Sequence, residues 1–569
     1  MFSLHPGLIL IVAGLLVLFL PKLARSLVAL AGAVLALISV VLLTPESMMN
    51  IDFVGGITME MLHVDMLSKA FGLIFGIIAV IAGIYSFDAN DEREKAAALI
   101  YAGSSIGVVF AGDWITLICF WEVMAVASWY LVWAGRTQKA KRASYRYLVM
   151  HFFGGNMLLA GAIFLCCDGN FDLTMLTGES GIGYWCVLIG VAVNAAILPL
   201  HTWVADAYPE STPAGTVYMG SFTTKVAIYA LIRLFAGTEW LVIVGGLMAV
   251  FAACMALIEN DLRRLLSYHI VSQLGMMVAG LGTGLAAGID GAALHAAYNI
   301  LYKGVLLMGA GAVFVATGKR KISDLGGLYK KMPLTAICFL IASLAIAGMP
   351  FLNGFASKAL IMDALHEGHF TIGYWLVMIA GVGTWLSITL KINFFAFFGK
   401  SEHDVECKPI PLYMSVAMVL GTVLCVITGV LPNLGYELMP NQTIGHPFTM
   451  HHILEYIGLF IGATIPFVLL LKKMAPHDYL TLDFDWIYRK PLAWVIFGFS
   501  KGIHETFVYC EKAANEVTDT VKLVLNHPGE VLYNATHWHK EEEHLPIGSF
   551  MWVFIAFCLV AFFVVKGIL

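Results

Sequence analysis

Charged side chains are scarce in this sequence. Asp, Glu, Lys and Arg together make up 12% of its 569 residues, whereas hydrophobic residues make up 60% and the mean hydropathy is +0.83. Soluble globular domains carry about 25% charged residues. This scarcity excludes a soluble globular protein and places the chain in a lipid bilayer.

The motifs that would hold a redox centre or a nucleotide are also missing. The ten cysteines include no C-x-x-C pair and lie mostly inside apolar runs, where cysteine behaves as a small hydrophobe. No Walker loop or dinucleotide fingerprint follows a strand pattern, and no basic aromatic surface suits nucleic acid. We therefore expect no cofactor, no metal, no catalytic centre and no nucleic-acid partner for this chain.

Long apolar runs, by contrast, recur from end to end. About sixteen runs have roughly the 17 to 25 residues that cross a hydrocarbon core about 30 Å thick. They lie near 7–20, 26–44, 64–86, 96–111, 114–134, 146–167, 184–204, 212–235, 241–258, 265–283, 290–316, 334–366, 372–398, 411–431, 452–471 and 550–568. The sequence therefore predicts an all-α, polytopic membrane protein.

Lys and Arg are distributed unevenly among the connecting loops. Loops after odd-numbered runs carry basic residues such as Arg93, Arg136 and Arg263, whereas loops after even-numbered runs carry almost none. Basic residues near helix ends stay in the cytoplasm. We therefore expect a multi-pass protein of the cell inner (plasma) membrane, with both termini outside and residues 472–549 in the cytoplasm.

Two ionisable residues lie deep inside apolar runs. Glu122 is about eight residues into its run, and Lys225 is about midway along the eighth run. A charge at membrane depth costs at least about 2.5 to 3.5 kcal/mol, so each needs a partner or a function. Opposite charges lower each other's desolvation cost, which predicts a Glu122–Lys225 pair. A hydrogen-bonded structural acid and a snorkelling lysine are the alternatives.

The eleventh run carries a polar stripe. In ALHAAYNILYKGVLLMGAG, the residues His295, Asn299 and Lys303 are four apart, which places them on one helix face. Histidine changes charge near neutral pH, so such a stripe inside a membrane is consistent with a proton relay. A set of satisfied structural hydrogen bonds is the alternative.

Two runs are interrupted. Pro199 interrupts the seventh run in VNAAILPLHTWVADAYPESTPAG and His201 follows it; Pro350 and Gly354 interrupt the twelfth in LAIAGMPFLNGFASKALIMDAL and Lys358 follows. A break at membrane depth is tolerated where it is buried in protein or lines a wet cavity, and paired breaks point to inverted repeats and ion sites. Simple kinks are the alternative.

Six ordered segments between about 100 and 400 resemble a known family. They are GDWITLICFWEVMAVASWYLV, PLHTWVADAYPESTPAG, the Lys225 run, ENDLRRLLSYHIVSQLGMM, HAAYNILYKGVLLMGAG and GMPFLNGFASKALI. They look like successive signatures of the antiporter-like subunits shared by Mrp-type cation/proton antiporters, respiratory complex I and membrane-bound hydrogenases.

The resemblance implies a 14-helix antiporter-like core with two inverted five-helix repeats and broken helices 7 and 12. The implied divisions are 1–95 for N-terminal helices, 96–235 and 236–400 for the repeats, 401–471 for helices 14 and 15, 472–549 for a lateral amphipathic segment, and 550–569 for a terminal anchor. In the lateral segment a helix is predicted by apolar residues at three- and four-residue steps: Phe507, Cys510, Ala514, Val517, Val521 and Val524. This helix would lie along the membrane or a partner subunit.

The resemblance also implies roles for individual residues. Proton transfer would use Glu122, Lys225, His295, Lys303 and Lys358, with Asn194, His201, Asn299 and Lys391 as accessory positions. The family usually carries lysine where this chain has Asn194 and histidine where it has Asn299, and asparagine cannot titrate. Lys391 sits late in its run, where snorkelling to the cytoplasmic edge is expected.

The implied function is that of a proton-translocating subunit of an Mrp-type monovalent cation/proton antiporter. Its partners would be other membrane subunits, protons, the lipid bilayer and Na+ or another monovalent cation. Three alternatives stay open at this point: a pumping subunit of a redox-driven complex, a non-conducting scaffold made credible by Asn194, and a stand-alone solute transporter.

Overall fold

A computed structural model describes residues 4–52, 58–89, 91–167, 169–399, 405–478 and 482–530. The chain divides into two units, Met1–Thr481 and Leu482–Leu569. The terminal anchor expected at 550–569 lies outside the described residues.

The described part of the first unit is almost entirely helical. Its helices, in chain order, are α1 Pro6–Val17, α2 Lys22–Leu42, α3 Met66–Tyr85, α4 Glu92–Phe110, α5 Trp114–Trp133, α6 Gln138–Leu165, α7 Ile182–Asn194, α8 Thr202–Ala207, α9 Pro213–Ser221, α10 Thr223–Phe235, α11 Trp240–Ile258, α12 Leu262–Gly282, α13 Ala286–Thr317, α14 Leu328–Lys331, α15 Pro333–Ala347, α16 Asn353–Glu367, α17 Thr371–Thr384, α18 Leu412–Val430, α19 Asn433–Tyr436 and α20 Met450–Leu469. Short 3-10 turns lie at Tyr208–Glu210 and Ile322–Asp324, and α17 continues as a π-helix over Trp385–Phe398.

The helix bounds agree closely with the apolar runs. Ten described helices are long and apolar enough to cross a membrane, and three shorter apolar helices accompany them. Several helices begin where an aspartate carboxylate accepts backbone N–H groups of the first turn, which stabilises a helix N-terminus. These N-caps are Asp65, Asp91, Asp113 and Asp261.

Both predicted helix breaks are present. Helix α7 ends at Asn194, and Pro199 lies in the non-helical turn before α8 because proline cannot donate a helical hydrogen bond. Helix α15 ends at Ala347, and Gly348 adopts φ +92° before α16 begins.

Two features of the fold have no signal in the sequence patterns described above. A third break separates α9 from α10 at Phe222, which no proline marks. The Phe222 ring is buried edge-on against the rings of Phe75 and Tyr101, so tertiary packing holds this break. The second feature is an antiparallel hairpin of β1 Met49–Asp52 and β2 Thr58–Leu62.

The connecting loops of the described first unit lie at two ends of its helices, and the end that holds most of the basic loop residues is called the basic end below. At the basic end, loops 18–21, 86–89, 134–137, 208–212, 259–261 and 318–324 are joined by hydrogen bonds and ion pairs, such as Arg136 with Asp91 and Arg320 with Asp261. At the opposite end, the Trp114 N–H donates to Phe171 O at 2.9 Å and the Leu176 N–H to Leu234 O at 2.8 Å.

In the second unit, a short helix α21 Asp485–Ile487 leads through a π-helical turn at Tyr488–Leu492 into α22 Ala493–Asn526. The predicted amphipathic segment therefore does form a helix. Large apolar side chains such as Phe507, Val517 and Val521 are exposed along it.

Candidate functional site: a buried line of lysine and histidine side chains

Lys225 lies in the first turn of α10, directly after the break at Phe222, and is fully buried. Its Nζ donates to Gly220 O at 2.8 Å and to Thr224 Oγ1 at 3.3 Å. Gly220 belongs to the last turn of α9, where carbonyls lack helical partners and carry the negative end of the helix dipole. The helix break thus supplies the acceptor that the buried ammonium needs.

Lys358 of α16 has the same arrangement at the other broken helix. Its Nζ donates to Ile346 O at 2.6 Å and to Ala347 O at 3.2 Å, the last two residues of α15. Within the described residues neither Lys225 nor Lys358 forms an ion pair with a carboxylate. Each lysine is held by a neutral carbonyl at the end of an interrupted helix.

The polar stripe lies between these two lysines on the unbroken helix α13, and all three side chains are fully buried. Lys303 Nζ donates to Leu266 O of α12 at 2.9 Å. The His295 ring has its Nδ1 2.8 Å from Ser357 Oγ, next to Lys358 in the chain. Asn299 Nδ2 donates to the Tyr302 hydroxyl at 3.2 Å.

Two neighbouring polar residues escaped the sequence analysis. Gln273 Oε1 lies 3.2 Å from His295 Nε2, and the Gln273 amide donates to Thr384 Oγ1 at 3.5 Å. His269 Nε2 lies 2.6 Å from Ser387 Oγ. The signal was available, because His269 and Gln273 are four residues apart inside the segment ENDLRRLLSYHIVSQLGMM and so share a helix face.

The cationic groups influence one another across this interior. Lys303 lies within electrostatic range of Lys225, and His269 lies within range of Lys303 and Lys358. Like charges repel strongly where the dielectric constant is low, so protonation of one group opposes protonation of the next. Such a line can pass a proton or a charge change from Lys225 towards Lys358.

The expected pair of Glu122 with Lys225 is not formed. Glu122 is half-buried on α5, and its carboxylate lies directly over Gly155 of α6, where a larger side chain would collide with it. No basic group of the described chain pairs with it, and Lys225 is satisfied instead by the Gly220 carbonyl. The prediction failed because a helix break can satisfy an ammonium without a carboxylate.

Asn194 and His201 flank the break between α7 and α8, and both are buried. Asn194 lies beside His151 of α6, whose ring packs against Trp203 at a centroid distance of 4.5 Å. The His201 ring packs edge-on against Phe251 at 5.3 Å. A neutral amide beside a histidine therefore occupies the position where the sequence resemblance implies a lysine.

Lys391 reaches the basic end but does not snorkel into water. It is 2% exposed, and its Nζ donates to Leu257 O and Glu259 O, each at 2.7 Å. These carbonyls end α11, so Lys391 caps that helix.

Fold and site together define a multi-span helical membrane subunit with interrupted helices and a buried line of ionisable side chains. Solved structures share this fold. A chain of the Mrp complex from Dietzia sp. matches with a TM-score of 0.68 at 22% identity, covering 81% of this chain and 99% of that one. A chain of the membrane-bound sulfane sulfur reductase, an archaeal respiratory membrane complex, matches with 0.73 at 23% identity, covering 98% and 99%.

Sequence comparisons identify the family. Residues 111–387 match the family described as NADH:quinone oxidoreductase/Mrp antiporter, TM. An Na(+)/H(+) antiporter subunit of Alkalihalophilus pseudofirmus is 31% identical over 60% of this chain and 74% of that protein. A larger Na(+)/H(+) antiporter subunit, from Staphylococcus haemolyticus, is 28% identical, and the alignment covers 75% of this chain and 59% of that protein.

This chain belongs to the NADH:quinone oxidoreductase/Mrp antiporter family and is an antiporter-like membrane subunit. The resemblance deduced from its six sequence segments is thereby confirmed.

Proposed function

We propose that this chain translocates protons as a subunit of an Mrp-type monovalent cation/proton antiporter. One observation carries the proposal: Lys225, Lys303 and Lys358 are buried inside the bundle and bind backbone carbonyls rather than carboxylates. Ionisable groups at membrane depth are costly and are found where ions or protons move. An ammonium held by neutral carbonyls can release its proton without leaving an unpaired buried anion behind.

The proposed path runs along the line of side chains. A proton reaches Lys225, moves through waters and the region of Lys303 and His295, arrives at Lys358 and leaves on the far side. Repulsion between neighbouring ammonium groups drives each transfer, because a proton arriving at one lysine favours release from the next. We place the basic end on the cytoplasmic side of the inner membrane, because Lys and Arg are concentrated in the loops at that end.

The counter-ion in this proposal is Na+ or another monovalent cation. The name of the bacterial relative at 31% identity, an Na(+)/H(+) antiporter subunit, supports that choice. Other membrane subunits complete the complex, as the multi-subunit assemblies with the same fold suggest.

A neighbouring subunit would also explain Glu122. A half-exposed carboxylate at membrane depth is expensive in lipid when, as for Glu122, no basic side chain of the described residues pairs with it. We propose that a membrane helix of a neighbouring subunit covers α5 and brings a basic side chain to Glu122. Charge changes in that neighbour would then reach the lysine line.

The test is transport by the assembled complex in proteoliposomes carrying Lys225→Ala or Lys358→Ala. Each variant should abolish coupled proton transport while the complex still assembles. Lys69→Ala is the matched control, because Lys69 also donates to a carbonyl at a helix end, Leu43 O at 2.8 Å, but lies outside the line. Full transport activity in both Lys225→Ala and Lys358→Ala would exclude the proposal and assign a scaffold role to this chain.

A pumping subunit of a redox-driven complex is the second candidate, and the extent of the fold match favours it. The sulfane sulfur reductase chain covers 98% of this chain, whereas the Mrp chain covers 81%. Optical and EPR spectra of the intact assembly separate the two candidates. Iron-sulfur or flavin signals from partner subunits would show that the complex is driven by a redox reaction. A colourless assembly would show that it is a cation/proton antiporter.

A further inference from the structure

A cavity of about 560 Å³ opens at the basic end, beside the first turns of α4 and α9. Four carboxylates line it, and three of them are paired with basic side chains. The pairs are Asp88 with Lys22, Asp91 with Arg136, and Glu92 with Arg25. Glu94 is the one carboxylate of these four without an ion pair in the described chain.

Glu94 also differs from its neighbours in burial. Its side chain is 8% exposed, and its carboxylate accepts a hydrogen bond from the Thr212 hydroxyl. On its inner side Glu94 lines a second cavity of about 10 Å³ together with Lys95, Gly215 and Tyr218. That volume is about what one water molecule requires. Glu94 therefore borders both the open cavity and a space large enough for one water molecule, and Ser86, Ala89 and Ala214 also line both.

A short helix connects this carboxylate to the lysine line. Thr212, the partner of Glu94, caps the N-terminus of α9 by accepting from the Gly215 N–H at 2.8 Å. At the other end of α9, the Gly220 carbonyl accepts from Lys225 Nζ. Residues 215–221 of α9 are buried. Glu94 and Lys225 thus contact opposite ends of one buried, nine-residue helix.

We propose that Glu94 takes up protons from the cavity at the basic end and delivers them towards Lys225. The inference rests on the proposed proton translocation. In the step, a hydronium ion in the open cavity gives one proton to the Glu94 carboxylate and becomes water. The neutral carboxyl then gives that proton to the inner water, and the carboxylate is restored. The titratable groups around Glu94 are Asp91 and Lys95 on its own helix, Tyr130 of α5, Arg136 after α5, and Tyr218 of α9.

The experiment measures proton flux through the intact complex in proteoliposomes under an imposed sodium gradient, over a range of pH. Glu94→Gln should lower the flux at least ten-fold and flatten its dependence on pH, because the amide cannot carry a proton. Glu92→Gln is the matched control on the same helix and the same cavity, and its flux should stay within two-fold of wild type. Glu94→Asp keeps a carboxyl group, so its flux should still depend on pH, at a lower level than wild type and with a shifted pH midpoint.

The outcomes separate this inference from the proposed function. Unchanged flux in Glu94→Gln, together with lost flux in Lys225→Ala, would overturn the inference and leave proton translocation intact. No proton flux in the wild-type complex would overturn both. If Glu94→Gln fails to assemble, Glu94→Asp decides: a lowered flux with a shifted pH midpoint supports the role, and wild-type behaviour contradicts it.

Discussion

Five buried lysines in the described part of the chain bind backbone carbonyls, yet they divide into two kinds at the scale of the residue. Lys95 lies at the basic end, where its Nζ donates to Phe87 O at 2.9 Å. Lys391 holds two carbonyls at the end of α11 and lies at the basic end, where it completes a helix cap. Lys225, Lys303 and Lys358 lie deeper and within range of other cations. The position of Lys391 late in its run already set it apart in the sequence, but the sequence did not show that these lysines bind backbone carbonyls.

The Asp65–Arg233 ion pair provides a pH-dependent test at the opposite end of the bundle. Asp65 precedes the span α3, and its carboxylate lies 2.7 Å from the Arg233 guanidinium. Burial alone would raise the pKa of Asp65, but Arg233 and the Ser68 N–H hold that pKa below its usual 3.8. A lowered pKa contributes stability above the unfolded value, and this contribution is lost only as the pH falls through the folded value.

Asp65→Asn should therefore destabilise the protein by about 1 to 3 kcal/mol, because the helix cap survives while the charged hydrogen bond is lost. The deficit should be constant between about pH 5 and 8, since both pKa values lie below that window. Thermal unfolding of the purified protein across this range measures it. Asp52→Asn, on the exposed hairpin of the same end, should change stability little, and an Asp65→Asn deficit that varies across the window would contradict the assignment.

At the scale of the element, the helix breaks position the functional groups. Gly348 ends α15 with φ +92°, and a Cβ there would lie 2.9 Å from Tyr456 Cε1 and 3.2 Å from Lys358 Cδ. Gly348→Ala should cost about 1 to 2 kcal/mol for the left-handed conformation and should also displace Lys358. Both the unfolding temperature and the proton flux are therefore expected to fall.

Gly462→Ala is the matched substitution for that measurement. Gly462 lies in the middle of α20, and a Cβ there would meet no atom within 4 Å. Alanine favours a helix over glycine by about 1 kcal/mol, so this variant should be as stable as wild type or slightly more stable. Equal flux in the two alanine variants would show that the conformation of Gly348 does not position Lys358.

Two of the three helix breaks could be predicted from the sequence, and one could not. Pro199 and Pro350 marked two of the three interruptions because proline removes a backbone donor. The break at Phe222 has no such local signal, since it depends on aromatic rings contributed by α3 and α4. The local sequence was therefore sufficient to predict the helix break beside Lys358. The break that supplies the acceptor of Lys225 could be found only from the tertiary fold.

At the scale of the whole molecule, loops that follow odd-numbered runs contact one another in the described part of the first unit. Arg136 reaches Asp91 across two loops that follow odd-numbered runs, and the Trp114 N–H reaches Phe171 at the other end. Hydropathy and loop charge determine this topology, so it could be read from the sequence. The partner of Glu122 could not be predicted from the sequence, because the described chain supplies no basic partner and the proposed cation belongs to another subunit.

The proposed neighbour on α5 can be tested with a native cysteine. Cys119 is exposed one helical turn before Glu122, and Cys254 of α11 is also exposed, at a similar distance from its helix end. If a subunit covers α5, Cys119 should react with N-ethylmaleimide at least ten-fold more slowly in the assembled complex than in the isolated chain, while Cys254 reacts alike in both. Glu122→Gln should restore Cys119 reactivity in part, because the neighbour's basic side chain loses its anion. Equal labelling of Cys119 in both preparations would mean that α5 faces lipid and that Glu122 acts without a subunit partner.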